Sequence, residues 1–185
     1  MTHVDINSRP RASGAAHPTE ALAGLWVPLV TPLTQDGGLD ERSLTQLVDH
    51  VIDGGADGLF LWGTTSEAAS LGARMGRRVT ACVMRRLASR RPSGFPCVVC
   101  VSDPCLETSI EMARYAWRFH EAGMIGVAAT PPYYYPMNDE ELRRYFETLS
   151  MATPAPVILY NFPDLAKTPL RADLVAELAE LPGIV

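Results

Sequence analysis

Residues 58–67 read Gly58-Leu59-Phe60-Leu61-Trp62-Gly63-Thr64-Thr65-Ser66-Glu67. The first half is an almost continuous apolar run, short for a helix and without the in–out alternation of a strand that faces water on one side. Strands buried on both faces, as in a parallel sheet, have this character. The second half turns polar at once: a glycine, three hydroxyl side chains and a carboxylate. A buried strand that ends in a polar turn and then enters a helical pattern is one βα unit.

The same alternation extends in both directions. Further strand candidates are residues 25–30, 97–101, 125–129 and 157–160, and Ile184 and Val185 would begin a sixth. Between them lie amphipathic stripes. Leu44, Leu47, Val48, Val51 and Ile52 follow i, i+3, i+4, i+7, i+8 spacing, with Asp40 as N-cap and Gly54-Gly55 as the stop. Val79, Val83 and Leu87 form the second stripe, and Asp103-Pro104 marks the start of the third helix. Leu142, Tyr145, Phe146 and Leu149 line the fourth; Leu174, Val175, Leu178 and Leu181 line the fifth.

Five βα units in roughly 160 residues are close to five eighths of a (β/α)₈ barrel, which takes about 250. Periodicity alone also allows an open doubly wound sheet, but no glycine-rich phosphate loop follows the first strand; Val30-Thr31-Pro32-Leu33 stands there. The expected fold is therefore α/β, an incomplete (β/α)₈ TIM barrel of about five and a half units over residues 24–185. Residues 1–23 read as a disordered tail.

Composition narrows the function. Hydrophobic residues make up 47% of the chain, enough for a sizeable core, and the net charge is −5 with no basic track, which excludes nucleic acid as a partner. No apolar run spans a membrane, and the N-terminus lacks a signal-peptide core, so a cytoplasmic protein is expected. Cys97 and Cys100 have C-x-x-C spacing, but they sit on a strand, where positions three apart face opposite sides. With Cys82 and Cys105 they read as small apolar residues. His50 and His120 read as surface groups, and no His/carboxylate spacing points to a metal.

In a barrel, chemistry sits at the C-terminal strand ends. Three such ends are rich in hydroxyls. Thr64 and Thr65, with the N–H groups around them, can bind a carboxylate; a helix cap explains them equally well. Tyr133, Tyr134 and Tyr135 lie in a proline-bounded loop and read either as a proton relay or as an aromatic subunit contact. Tyr160 ends the fifth strand, either reaching across to Thr64 or pointing into solvent.

Taken in order, these segments resemble the dihydrodipicolinate synthase / N-acetylneuraminate lyase family of pyruvate-handling class I aldolases. Gly63-Thr64-Thr65-Ser66-Glu67 matches the family's Gly-Thr-Thr-Gly-Glu in four of five positions, Pro132-Tyr133-Tyr134 resembles Pro-Tyr-Tyr, and Tyr160-Asn161-Phe162-Pro163 resembles Tyr-Asn-x-Pro. The resemblance implies a lyase whose sixth-strand lysine forms a Schiff base with a 2-keto acid, with no metal or organic cofactor. It assigns Thr65 and nearby N–H groups, with Thr64, to the keto-acid carboxylate, and Tyr160 to proton transfer. Thr64 would link Tyr160 to Tyr134 of a neighbouring subunit, with Tyr133 as the fallback, in a homotetramer. Leu165 stands where dihydrodipicolinate synthases carry an arginine, which favours a sugar-acid aldolase or dehydratase. The only lysine is Lys167, on the loop after the fifth strand; the expected Gly-x-Lys lies beyond Val185. Residues 1–185 are therefore expected to be inactive alone. The alternative is a non-catalytic assembly or binding module.

Overall fold

The computed structural model describes residues 22–185; the expected tail, with His3 and His17, falls almost wholly outside them. In chain order the elements are β1 (Trp26–Pro28), α1 (Glu41–Asp53), β2 (Gly58–Leu61), α2 (Ala68–Arg90), β3 (Cys97–Cys100), α3 (Leu106–Trp117), β4 (Met124–Ala129), α4 (Asp139–Ala152), β5 (Val157–Leu159), α5 (Pro163–Ala166) and α6 (Ala172–Ala179). The five strands are all parallel and lie in the order β1-β2-β3-β4-β5. That order separates the two folds left open by periodicity. A doubly wound sheet reverses its order at a switch point, whereas a barrel adds each strand beside the last. Ile184 continues the series with a parallel bridge to Val157, where the Val157 N–H donates to the Gly183 carbonyl at 2.7 Å.

The two faces of the sheet differ. Leu59, Leu61, Cys97, Val99, Val127, Ala129 and Val157 lie in one buried cluster with the helix stripes Leu44, Val48, Ile52, Val79, Val83, Leu87, Phe146, Leu149 and Leu178. Phe60, Val98, Ala128 and Ile158, at the alternate positions, share the opposite face. Cys97 and Cys100 divide between the faces as strand alternation requires, both buried and unpaired.

Capping explains most boundaries. Asp40 accepts the Ser43 N–H at 3.0 Å, and Asn138 with Glu141 forms a reciprocal capping box at the start of α4. The third helix begins two residues later than Asp103-Pro104 implies. Asp103 instead accepts the Cys105 N–H at 2.8 Å in a tight side-chain turn, and Leu106 is the first helical residue. Helix α2 is bent at Gly72 (φ 71°, ψ 158°), so its first turn, residues 68–71, is set apart from the long segment that carries Val79, Val83 and Leu87. On the outside, Arg86 and Arg90 reach from α2 to Asp49 and Asp53 of α1. Hydrogen bonding from Arg86 holds the Asp49 carboxyl below the usual range.

Candidate active site

The turn after β2 is a short 3₁₀ segment, Thr64–Ser66. Two left-handed residues flank it, Trp62 and Glu67, each at φ 59°. A bulky residue in that region is strained and persists only where its surroundings hold it. Trp62 is held by α2: a Cβ on Gly76 would lie 2.6 Å from its indole, so Gly76 makes room for the ring. Ser66 fixes the turn from below. Its buried hydroxyl donates to the Leu29 carbonyl at 2.6 Å, while its own carbonyl accepts the Thr31 hydroxyl at 2.9 Å. The residue that departs from the family's second glycine thus stitches the β2 turn to the end of β1. Among the described residues, the N–H groups of Thr64 and Thr65 have no backbone acceptor, which leaves two donors at the strand end.

Beside this turn lies a cavity of about 380 Å³ at the C-terminal ends of the strands. Its wall includes Thr64, Glu67, Cys100, Ser102, Tyr133, Tyr160 and Leu165. Tyr160 is positioned by its N–H, which donates to the Ala129 carbonyl at 2.9 Å, and by its ring, which meets Phe60 edge-on at 5.7 Å and stacks on Phe162 at 6.0 Å. Asn161 acts as a clamp for the loop beyond. Its amide donates to the Leu170 carbonyl at 2.9 Å, and its side-chain oxygen accepts the Leu170 N–H at 3.1 Å.

The sequence candidates therefore divide. Thr64, Tyr160 and Tyr133 share one cavity; Thr65 is exposed beside it and outside the lining. Tyr134 is 71% exposed and stacks edge-on against Tyr135 rather than facing the cavity. Among the described residues, no hydrogen bond joins the hydroxyls of Thr64, Tyr160 and Tyr134. Burial, with Asp103 and Cys100 nearby, raises the Tyr133 phenol above its ordinary value and keeps it protonated. Lys167 is exposed and absent from the lining, and its ammonium donates to the Asp164 carbonyl at 2.5 Å. Leu165, half exposed, presents an apolar side chain at the cavity wall. Ser70, Cys100 and Ser102 are lining residues that the sequence reading did not single out for the site; for Ser102 the visible signal is a serine directly after the strand candidate 97–101. Among the described residues, no cluster of three His, Cys, Asp or Glu side chains could hold a metal ion, and no helix is long and apolar enough to cross a membrane.

Comparison with known proteins gives a consistent result. The profile of the dihydrodipicolinate synthetase family matches residues 21–185. The 4-hydroxy-tetrahydrodipicolinate synthase of Neisseria meningitidis serogroup B is 30% identical over 164 residues, covering 89% of this chain and 54% of that protein. Among solved structures, YagE of Escherichia coli K12, a prophage protein of the dihydrodipicolinic acid synthase family in complex with pyruvate, has a TM-score of 0.78 at 32% identity over 86% of this chain and 51% of its own. The chloride-inhibited dihydrodipicolinate synthase of Acinetobacter baumannii, also complexed with pyruvate, has a TM-score of 0.79 at 31% identity over 88% and 53%. The chain spans about half the length of each of these proteins.

Proposed function

Because the chain belongs to the dihydrodipicolinate synthetase family, we propose that residues 22–185 build the keto-acid side of a Schiff-base lyase site. The observation that carries this reading is the cavity of about 380 Å³ at the strand ends, whose lining includes both Thr64 of the β2 turn and Tyr160 directly after β5. Thr64, Thr65 and their N–H groups hold the carboxylate of a pyruvate-type acid, since ionic acceptors make the strongest hydrogen bonds with such donors. Tyr160 moves the proton at the imine carbon's former oxygen, a task for a phenol within reach of the reacting atoms. The imine forms when a lysine amine attacks the ketone and water leaves; the iminium then takes up the electron pair of the C–C bond being cleaved or, in dehydration, of the C–H bond beside it, after which the enamine expels the neighbouring hydroxyl as water. Lys167 does not serve as that amine, because it lies outside the cavity and is spent on Asp164. Leu165 offers no charge to a second carboxylate, which favours cleavage or dehydration of sugar-acid-type 2-keto acids over dihydrodipicolinate synthesis. Tyr134, directed outward, reaches the site of a neighbouring copy in a homo-oligomer.

The test is pyruvate binding to residues 1–185, read by saturation-transfer NMR, with borohydride trapping alongside. Binding that is lost in Thr64→Val and Thr65→Val, with no reduced adduct, is expected. Undiminished binding in both variants would sink the carboxylate assignment, and an adduct mapped to Lys167 would sink the exclusion of that lysine. A second reading, a non-catalytic assembly module, is favoured by the exposed pair Tyr134 and Tyr135. It predicts self-association that Tyr134→Ala and Tyr135→Ala abolish, with no pyruvate signal.

A further inference from the structure

We infer that Ser102 is a specificity-determining hydrogen-bond donor, its hydroxyl proton held free for an oxygen atom of the bound keto acid. The inference deepens the keto-acid reading and rests on it.

Ser102 lies two residues beyond the end of β3 and lines both the main cavity and a smaller one of about 60 Å³ beside it. A serine hydroxyl has two lone pairs and one proton. The first lone pair accepts the Thr130 backbone N–H at 2.8 Å. The other close neighbour is Cys100 Sγ, at 3.1 Å. Cys100 is enclosed by the sheet; burial pushes its thiol up, against a smaller opposing pull from Ser102, so the sulfur carries a proton at neutral pH. The contact admits a proton from either atom; when the S–H donates to Ser102 Oγ, the second lone pair is occupied.

With both lone pairs taken, the hydroxyl can act only as a donor, and the open side is the cavity. The reverse arrangement, with Ser102 donating to sulfur, places the proton on a weak acceptor. A carboxylate or carbonyl oxygen entering the cavity is a much better one, so an oxygen-bearing ligand selects the donor arrangement. A ligand group that can only donate finds no lone pair here. Thr130 does not compete, because its own hydroxyl donates to the Pro131 carbonyl at 2.9 Å. Tyr133, kept protonated on the same wall, adds a second donor. The β3–β4 side of the cavity is thus a donor surface matched to an acceptor-rich ligand.

The experiment is an NMR titration of residues 1–185 with pyruvate, on the parent and on Ser102→Ala, Ser102→Thr and Cys100→Ala, each with a thermal melt to verify folding. Ser102→Ala is expected to weaken pyruvate about tenfold, the scale of one hydrogen bond to a charged acceptor. Ser102→Thr retains the hydroxyl and is expected to restore affinity to within about threefold. An independent readout is the infrared S–H band of Cys100, identified by its loss in Cys100→Ala. It should shift to the frequency of a free thiol in Ser102→Ala. A parent that binds pyruvate while Ser102→Ala binds it equally well overturns the inference and leaves the keto-acid reading intact. A parent that does not bind pyruvate overturns both. An S–H band unmoved by Ser102→Ala overturns the assigned proton positions.

Discussion

The chain bends differently at the two ends of the sheet. Where helices lead back into strands, the left-handed positions are glycines: Gly55, Gly94, Gly123 and Gly183. At the opposite end Gly37 and, within α2, Gly72 also have positive φ, but only there does that geometry fall on residues with side chains: Trp62 and Glu67 around the β2 turn and Lys167 after the short helix α5. Glycine takes up such a backbone without steric cost. A side chain there costs about 1–3 kcal/mol and needs surroundings that impose it. The strained end is also the end with the cavity and the tyrosines. One end of the sheet is built to be stable, and the other holds side chains where chemistry needs them.

The sharpest way to break this contrast is Gly123→Ala. A Cβ there would lie 2.3 Å from the Phe95 carbonyl oxygen and 2.8 Å from its nitrogen, at φ 109°. Backbone atoms cannot step aside as a flexible side chain can. Chemical denaturation should show a loss of about 4 kcal/mol or more, and a loss under about 1 kcal/mol would dissolve the distinction between the two ends.

Tyr145 sharpens the comparison by probing the packing beneath the strand-end loops. Its hydroxyl is buried without a hydrogen-bond partner. Burial pushes the phenol up to about 12; Ser109 is near enough to oppose that shift but does not close a hydrogen bond. The folded phenol thus holds its proton at pH values where the unfolded one, near 10, has released it. Its contribution is intact below pH 10 and fades as the pH rises toward 12, by about 2–3 kcal/mol in all. Denaturation curves of Tyr145→Phe should lack that part of the alkaline decline. Parallel pH profiles for the variant and the parent would show that the site is wet.

Ser66→Ala removes the buried hydroxyl that ties the β2 turn to β1 and strands the Leu29 carbonyl. Stability should fall by about 1–2 kcal/mol, and pyruvate binding should weaken with it because the neighbouring Thr64 and Thr65 lose their support. Stability loss without weaker binding would separate the turn from the site.

The smallest effect is expected from Glu67→Gly. Relief of the left-handed strain opposes the added freedom of glycine in the unfolded chain, so stability should stay within about 1 kcal/mol of the parent. A gain well above that would mean that the strain at Glu67 is larger than its φ implies.

Much of the fold was legible in the residues. The strand candidates lie within two residues of the observed ones at each end, because continuous apolar runs bounded by Gly, Pro and polar turns have few other homes. The stripes Leu44–Ile52 and Leu142–Leu149 point inward because a 3.6-residue period leaves one face to bury. The kink at Gly72 and the short helix α5 were not legible. Both depend on how one or two turns pack against neighbours, and local propensity hardly distinguishes such a turn from a loop.

The site divides along the same line. The sequence by itself determined which hydroxyls stand at strand ends, that Lys167 is the only lysine, and which family the motifs resemble. Only the tertiary structure decided that Thr64, Tyr160 and Tyr133 share one cavity while Tyr134 turns outward. It alone brought Cys100, Ser102 and Thr130 into one hydrogen-bonded group across two strands. The reason is register. Strand pattern says which side chains share a face, but the pairing of β3 with β4 determines which residues lie side by side, and backbone donors such as the Thr130 N–H have no signature in a side-chain sequence.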